Sequence, residues 1–279
     1  MPVIAVVNRK GGSGKSTFAA HVAAWCAKQG HAVMLGDVDK QQSSRSWLRR
    51  RPSQLPVIAP WAMDQNVLKV PSGISHVVLD TPGGLHGFEL ARIVMFADAI
   101  VMPVCASMFD RESAAQCHAE LSALPRVASG RCRVGAVGMR IDGRTNGAKV
   151  LRDWADAIDI PFIGTLRETQ MYARALERGL TMFDLPASQA AADLAQWEPI
   201  LEWLAPVVSP PVAANDSGPA RPSVSRIATS RPTNLMPAQD SLVHGSRLAT
   251  TLQRSAAQHR APAATLGASR TLVPHFLKR

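Results

Sequence analysis

One short segment constrains the fold of this chain more than any other: Lys10-Gly11-Gly12-Ser13-Gly14-Lys15-Ser16-Thr17. An apolar run from Val3 to Val7 precedes it and an Ala-rich helical pattern follows it, which gives the order strand, glycine loop, helix. In such a loop the backbone N–H groups converge on one point, and the start of the helix adds positive potential. The segment therefore predicts a phosphate-binding loop after a buried strand.

The residues of this loop are suited to different parts of a bound nucleotide. Lys15 supplies a charge for the β- and γ-phosphates, Ser16 offers Mg²⁺ a hydroxyl ligand, and Thr17 is expected at the α-phosphate. The glycines let the backbone approach the phosphates because they carry no Cβ atom. We expect phosphate contacts from Gly11, Gly12, Ser13, Gly14, Lys15, Ser16 and Thr17.

The loop departs from the common phosphate-binding motif at its start. Arg9 stands where that motif has a glycine, and a second lysine, Lys10, follows it. Further segments come in a fixed order: Gly36-Asp37-Val38-Asp39-Lys40-Gln41-Gln42, His76 to Gly84, Val101 to Val104, Val137 to Arg140, and Arg167 to Asp184. With these motifs the chain resembles the ParA/MinD family of deviant Walker A ATPases over about residues 2–204, and within it the short, ParF-like partition and positioning ATPases.

The resemblance implies a P-loop NTPase fold, ATP and Mg²⁺ as cofactors, and slow ATP hydrolysis that a partner protein accelerates. It implies that Lys10 reaches across an ATP-sandwich homodimer to the phosphates of the second subunit, where a cation stabilises the transition state. Asp39 is expected to orient the attacking water, with Asp37 in support or at the metal. Asp80 is expected to hold Mg²⁺ through water, and Met139 and Arg140 to lie at the adenine.

The alternation of apolar strands and helical patterns predicts an α/β fold with a mostly parallel, twisted sheet covered by helices on both faces. The expected strands span residues 2–8, 32–38, 76–80, 98–104, 133–140 and 160–164. The expected helices span residues 15–29, 41–50, 85–96, 110–124, 145–158 and 187–204. The ATPase domain is therefore predicted to end at residue 204.

Composition changes after that point. Residues 205–279 are rich in Pro, Ser and Arg, and are predicted to form a largely disordered basic tail. This tail has nine Lys or Arg against two Asp, so it carries +7 of the chain's net charge of +10. The positive charge that suggests a nucleic-acid partner thus lies mostly outside the predicted domain.

Other sequence features concern the compartment. No apolar run is long enough to span a membrane, no secretory signal is recognisable, and the four cysteines show no metal-binding spacing. Buried thiols in a reducing cytosol are the expectation. We therefore predict a cytoplasmic, nucleoid-associated protein with no membrane partner.

Arginines of the second half are candidates for binding DNA without sequence preference, as members of the resembled family do. The candidates for contacting DNA phosphates are Arg167, Arg174 and Arg178, since such contacts need only positive charge. A second cluster, Arg45, Arg49, Arg50 and Arg51, follows a predicted helix, and the preference of basic residues for helix C-termini explains part of it.

The sequence is compatible with several functions. The first is segregation of a plasmid or chromosome, with a centromere-binding, ParB-type partner or another cargo adaptor that stimulates hydrolysis. Positioning of a protein cargo, such as a chemoreceptor array or a microcompartment, is the alternative, together with a MinD-like regulator that cycles on membranes. A metabolic P-loop enzyme or reductase is disfavoured because cluster cysteines and a second-substrate pocket are not recognisable.

Overall fold

The structure is a computed structural model that describes residues 1–39, 41–62 and 70–210. Its strands are β1 (Val3–Val6), β2 (Val33–Asp37), β3 (Ile58–Ala62), β4 (His76–Asp80), β5 (Ala99–Val104), β6 (Arg133–Ile141) and β7 (Phe162–Arg167). Its helices are α1 (Lys15–Lys28), α2 (Ser43–Leu48), α3 (Gly87–Phe96), α4 (Met108–Ser122), α5 (Pro125–Ala128), α6 (Gly147–Ala157), α7 (Gln170–Glu177) and α8 (Ala187–Val208), with a 3₁₀ turn at Met182–Asp184.

The described strands form one parallel sheet of seven strands in the order β3-β2-β4-β1-β5-β6-β7. Strand β1 lies at the centre, so the loop that follows it starts from the middle of the carboxyl edge of the sheet. This edge is where open parallel sheets bind their ligands. The predicted α/β class and P-loop type of fold are confirmed.

Two apolar cores flank the sheet because successive strand residues point to opposite faces. On one face Ile4 and Val6 pack with residues of α1, α2, α7 and α8. On the other face Val3 and Ala5 pack with residues of α3, α4 and α6. Strands buried on both sides explain why their sequences are continuously apolar rather than alternating.

Three elements lie outside the predicted strands and helices: β3, the single-turn α5 and α7. Strand β3 contains Pro60 and lies at the edge of the sheet, where a missing N–H group is tolerated. Helix α7 has only eight residues, with Arg174 on its exposed side, which is too short for a clear helical pattern in the sequence. Strand β7 spans Phe162–Arg167, whereas residues 160–164 were expected.

The end of the domain also differs from the expectation. Helix α8 continues to Val208, four residues past the predicted boundary at residue 204. The predicted disorder concerns a tail of which residues 211–279 lie outside the described part, so it stays a prediction. None of the described helices combines the length and apolar character needed to cross a membrane.

Candidate nucleotide site

The glycine loop connects the end of β1 to α1 and is anchored by a side chain that sequence reasoning missed. Asn8 is fully buried, and its amide donates to the carbonyl oxygen of Pro103 at 2.6 Å. The same side chain accepts the backbone N–H of Lys10 at 3.0 Å. Asn8 therefore fixes the start of the loop to β5. A polar residue at the end of an apolar strand is the signal that could have identified it.

The first turn of α1 has N–H groups free for a ligand. Gly14 precedes the helix in the left-handed conformation with a φ of 94°, and no side chain caps the helix. The first described backbone bond of the helix is from the Phe18 N–H to the Gly14 carbonyl. The preceding N–H groups thus have no helical partner, which is the usual state of an anion-binding helix start.

The two lysines of the loop differ in environment. Lys15 is buried, with 7% of its surface exposed, and its Nζ donates to the Lys10 carbonyl at 3.0 Å. Burial lowers the pKa of Lys15, while the nearby carboxylates of Asp80 and Asp39 raise it. The side chain of Lys10 is exposed instead. A bound phosphate would supply the counter-charge that the buried Lys15 ammonium needs.

Asp37 and Asp80 end the adjacent strands β2 and β4 and stand opposite each other in register. Asp37 accepts the backbone N–H groups of Asp39 at 3.1 Å and Arg45 at 3.0 Å, so it supports the loop and the start of α2. Burial raises its pKa, and those hydrogen bonds lower it. Asp39 lies beyond the strand, partly exposed, and its Oδ1 accepts the Gln41 N–H at 2.9 Å.

Asp80 fits the part of an Mg²⁺ ligand. Its side chain is fully buried; Oδ2 accepts the Ser44 hydroxyl at 2.5 Å, while Oδ1 has no partner among the described residues. Burial raises the pKa of Asp80 to about 6, and the nearby Ser44 and Ser16 hydroxyls oppose that rise. A buried carboxylate oxygen without a partner, next to the Ser16 hydroxyl, suits a hydrated divalent cation. Ser44 was missed by sequence reasoning.

The segment after β4 rests against the glycine loop. The Gly84 N–H donates to the Arg9 carbonyl at 2.7 Å, and the Thr81 hydroxyl donates to the Val6 carbonyl at 2.8 Å. A Cβ atom on Gly83 would lie 3.4 Å from the Arg9 carbonyl oxygen. The two segments are therefore in direct contact, and the glycines give the second one the conformational freedom that a nucleotide switch requires.

A cavity of about 290 Å³ opens beside the glycine loop. Met139 and Arg140, the two residues expected at the adenine, line it together with Gly12, Gly14, Thr17 and residues 166–170, 172, 173 and 176. Arg140 adopts a φ of 53° and donates to the Gly12 carbonyl at 2.7 Å. A Cβ atom on Gly14 would lie 2.8 Å from the Met139 methyl group. The cavity is thus contiguous with the phosphate-binding loop.

A family model decides the relationship: residues 4–182 match the CobQ/CobB/MinD/ParA nucleotide binding domain. The chain belongs to this family. It is 26% identical over 198 residues to the maintenance of carboxysome distribution protein A of Halothiobacillus neapolitanus, which covers 68% of this chain and 91% of that protein.

Solved structures share the fold of this CobQ/CobB/MinD/ParA domain. An ATP complex of McdA from Cyanothece aligns with a TM-score of 0.56 and 15% identity, over 72% of this chain and 96% of that one. The septum site-determining protein MinD of Pyrococcus horikoshii, complexed with Mg-ADP, aligns with a TM-score of 0.53 and 15% identity, over 75% and 99%. The ParA/MinD resemblance inferred from the sequence is confirmed.

The arginines selected for DNA have different surroundings in this family member. Arg167 donates through Nε and Nη2 to both oxygens of the buried Asp193, at 2.7 and 2.8 Å, and joins β7 to α8. Arg174 and Arg178 are exposed on α7 and directly after it. A structural task therefore accounts for Arg167, whereas Arg174 and Arg178 face solvent.

Proposed function

We propose that the protein is an ATP-driven positioning ATPase that dimerises around ATP and binds duplex DNA without sequence preference. Family membership supports nucleotide hydrolysis in general. The observation that carries the more specific proposal is the pair of loop lysines: Lys15 is buried and folded onto the loop, whereas Lys10, at the start of the loop, is exposed. A lysine that faces outward beside the phosphates is suited to reach a second subunit.

The reaction is hydrolysis of the γ-phosphate. Bound Mg²⁺ would neutralise phosphate charge, held by the Ser16 hydroxyl and, through water, by Asp80. Lys15 would stabilise the β- and γ-phosphates from within the subunit, and Lys10 those of the second subunit. Asp39 would orient the attacking water, while Asp37 supports its loop. Few groups promote the attack, so slow intrinsic turnover and stimulation by a partner protein follow.

Exposed apolar side chains near the loop also favour a dimer. Helix α4 starts with Met108 and Phe109, whose surfaces are 54% and 68% exposed. Arg140 contacts the Gly12 carbonyl, and the negative charge of Asp110, in the first turn of α4, helps to raise the pKa of Arg140. Apolar groups of this size are more stable when covered, and a second subunit docked on the loop would cover them.

The DNA partner is supported by exposed arginines of the domain, of which Arg174 and Arg178 are the primary candidates. The test is binding of the full-length chain to a short duplex of arbitrary sequence, with Mg²⁺ and either ADP or a non-hydrolysable ATP analogue. We expect tighter binding with the analogue than with ADP, and an affinity that falls steeply as the salt concentration rises. Binding to anionic liposomes with ATP, and none to DNA, would replace this proposal with a membrane-cycling regulator.

The identity of the cargo defines a second candidate function. The match to the carboxysome distribution protein of Halothiobacillus neapolitanus covers 91% of that protein. This likeness favours a protein cargo such as a microcompartment. A small centromere-binding protein that stimulates hydrolysis would identify DNA segregation instead. Turnover measured with each class of partner, encoded beside this chain, distinguishes the two.

A further inference from the structure

Two arginine-bearing segments that are distant in sequence meet on one part of the surface. Gly179, directly after α7, packs on the backbone that follows α2, and a Cβ atom there would lie 2.2 Å from the Arg50 carbonyl oxygen. Its φ of 73° also favours glycine. Five exposed arginines lie in or just after the two helices that lead to this contact, and we name them the arginine surface: Arg45, Arg49, Arg50, Arg174 and Arg178.

A buried ion pair joins the two halves of this surface. Arg51 donates through Nη1 to Asp184 Oδ2 at 2.9 Å and through Nη2 to Oδ1 at 3.3 Å. The side chains are 5% and 0% exposed. Asp184 also accepts the N–H and hydroxyl of Thr181, at 2.9 and 2.7 Å. A bidentate pair without solvent has one preferred geometry, so it fixes the segment after α2 on the turn that follows α7.

Each half of the arginine surface is also attached to the nucleotide site. At the start of α2 the Arg45 N–H donates to Asp37, and the Ser44 hydroxyl donates to Asp80, the candidate Mg²⁺ ligand. On α7, Tyr172 and Leu176 line the cavity beside the glycine loop. Helix α2 therefore contacts the side of the site where γ-phosphate and Mg²⁺ are expected, and α7 contacts the opposite side.

We propose that the Arg51–Asp184 pair couples the nucleotide state to the arginine surface within a single subunit. When γ-phosphate and Mg²⁺ fix the start of α2, the pair transmits that arrangement to the turn at residues 179–184 and aligns both groups of arginines along a phosphate backbone. Arg51 and Asp184 are positioning residues: they act through the segments that they join, and contact neither the nucleotide nor the DNA. The identity of the partner as DNA rests on the proposed function, whereas the mechanical link does not.

Two variants test the link. Arg51→Lys keeps the charge and removes the bidentate geometry. The double variant Arg51→Met/Asp184→Asn removes both charges, so no buried charge is left unpaired, and it covers the case in which the single variant does not fold. Arg126→Gln is the control, because it breaks the Arg126–Asp98 pair at the amino end of the sheet, far from the glycine loop.

The first readout is amide hydrogen exchange of residues 179–184 in the full-length chain. The informative quantity is the difference between Mg-ADP and a Mg-bound non-hydrolysable ATP analogue, since contacts with the base and the other phosphates cancel. We expect slower exchange with the analogue in the wild type and in Arg126→Gln, and no difference in the two test variants. A wild type without this difference, or test variants that retain it, would overturn the coupling.

The second readout is affinity for a short duplex of arbitrary sequence at fixed salt. The wild type should bind about tenfold tighter with the analogue than with ADP, and the test variants about equally with both. Test variants with the full wild-type ratio would contradict the role of the pair. If the wild type binds no DNA with either ADP or the analogue, the proposal of a DNA partner is wrong. The exchange measurement still tests the coupling in that case.

Discussion

At the scale of single residues, the site depends on what surrounds each charge. Lys15 and Asp80 are both removed from water, and each has an unmet requirement: an anion for the ammonium, and a partner for one carboxylate oxygen. Both carboxylate oxygens of Asp37 already accept backbone N–H groups. Asp39 is the carboxylate of this group that remains partly exposed, which suits contact with an attacking water.

Replacement of Asp39 by alanine tests that assignment. We expect ATP hydrolysis to fall by about 100-fold or more, because a positioned acid or base contributes about that much. Nucleotide affinity should stay close to that of the wild type, since Asp39 donates nothing to the phosphates. Steady-state turnover and equilibrium binding of a fluorescent ATP analogue measure the two quantities. The control is Asp153→Ala, an exposed carboxylate on α6; an Asp39 variant with wild-type turnover would refute the role.

At the scale of elements, helix α1 links the glycine loop to the turn after α7 through His21. This side chain is fully buried; Nδ1 lies 2.7 Å from the Thr17 carbonyl, and Nε2 accepts the Met182 N–H at 3.1 Å. Its ring stacks on Trp197. These contacts require a neutral imidazole with the proton on Nδ1. Burial accordingly lowers the pKa of His21 to about 4.

The depressed pKa predicts acid sensitivity of the fold. In the unfolded chain His21 is protonated below about pH 6.5, whereas in the folded chain it is protonated only below about pH 4. Stability from His21 is therefore fully present above pH 6.5, falls as the pH drops toward 4, and the loss reaches about 3 kcal/mol. Urea unfolding at several pH values measures it. His21→Gln should remove most of this slope, and His86→Gln, an exposed control, should leave it; equal slopes in all three proteins would contradict the account.

The elements also show how far the sequence could predict this structure. Continuous apolar runs identified the buried strands, because both of their faces are covered by helices. Strand β3 was missed because Pro60 is tolerated only at an edge, and edge position is a property of the whole sheet. Asn8, Ser44 and Asp184 were missed for a related reason: each acts through a partner that is distant in sequence and that no local motif specifies.

At the scale of the whole molecule, charge is divided between the domain and the tail. Arginines in and just after α2 and α7 concentrate positive charge on one part of the domain, although its net charge is small. Arg167 contributes less, because both oxygens of Asp193 engage its guanidinium. DNA affinity is therefore expected to depend on Arg174 and Arg178 more than on Arg167.

A salt titration tests this division. The double variant Arg174→Ala/Arg178→Ala should reduce the slope of log affinity against log salt by about 2, since each lost phosphate contact removes about 0.9. Arg167→Ala should lower the free energy of unfolding and leave the slope nearly unchanged. Fluorescence anisotropy with labelled duplex gives the slopes. A larger reduction of this slope in Arg167→Ala than in the double variant would assign the DNA contact to Arg167 instead.

The central claim is that Lys10 converts ATP binding into dimerisation, and light scattering after size exclusion tests it most directly. With Mg²⁺ and a non-hydrolysable ATP analogue, we expect the full-length wild type and the control Lys149→Ala to become dimers. Lys10→Ala should bind the analogue and stay monomeric, while Lys15→Ala should not bind it. A Lys10→Ala protein that dimerises like the wild type, or a nucleotide-saturated wild type that stays monomeric, would contradict the claim.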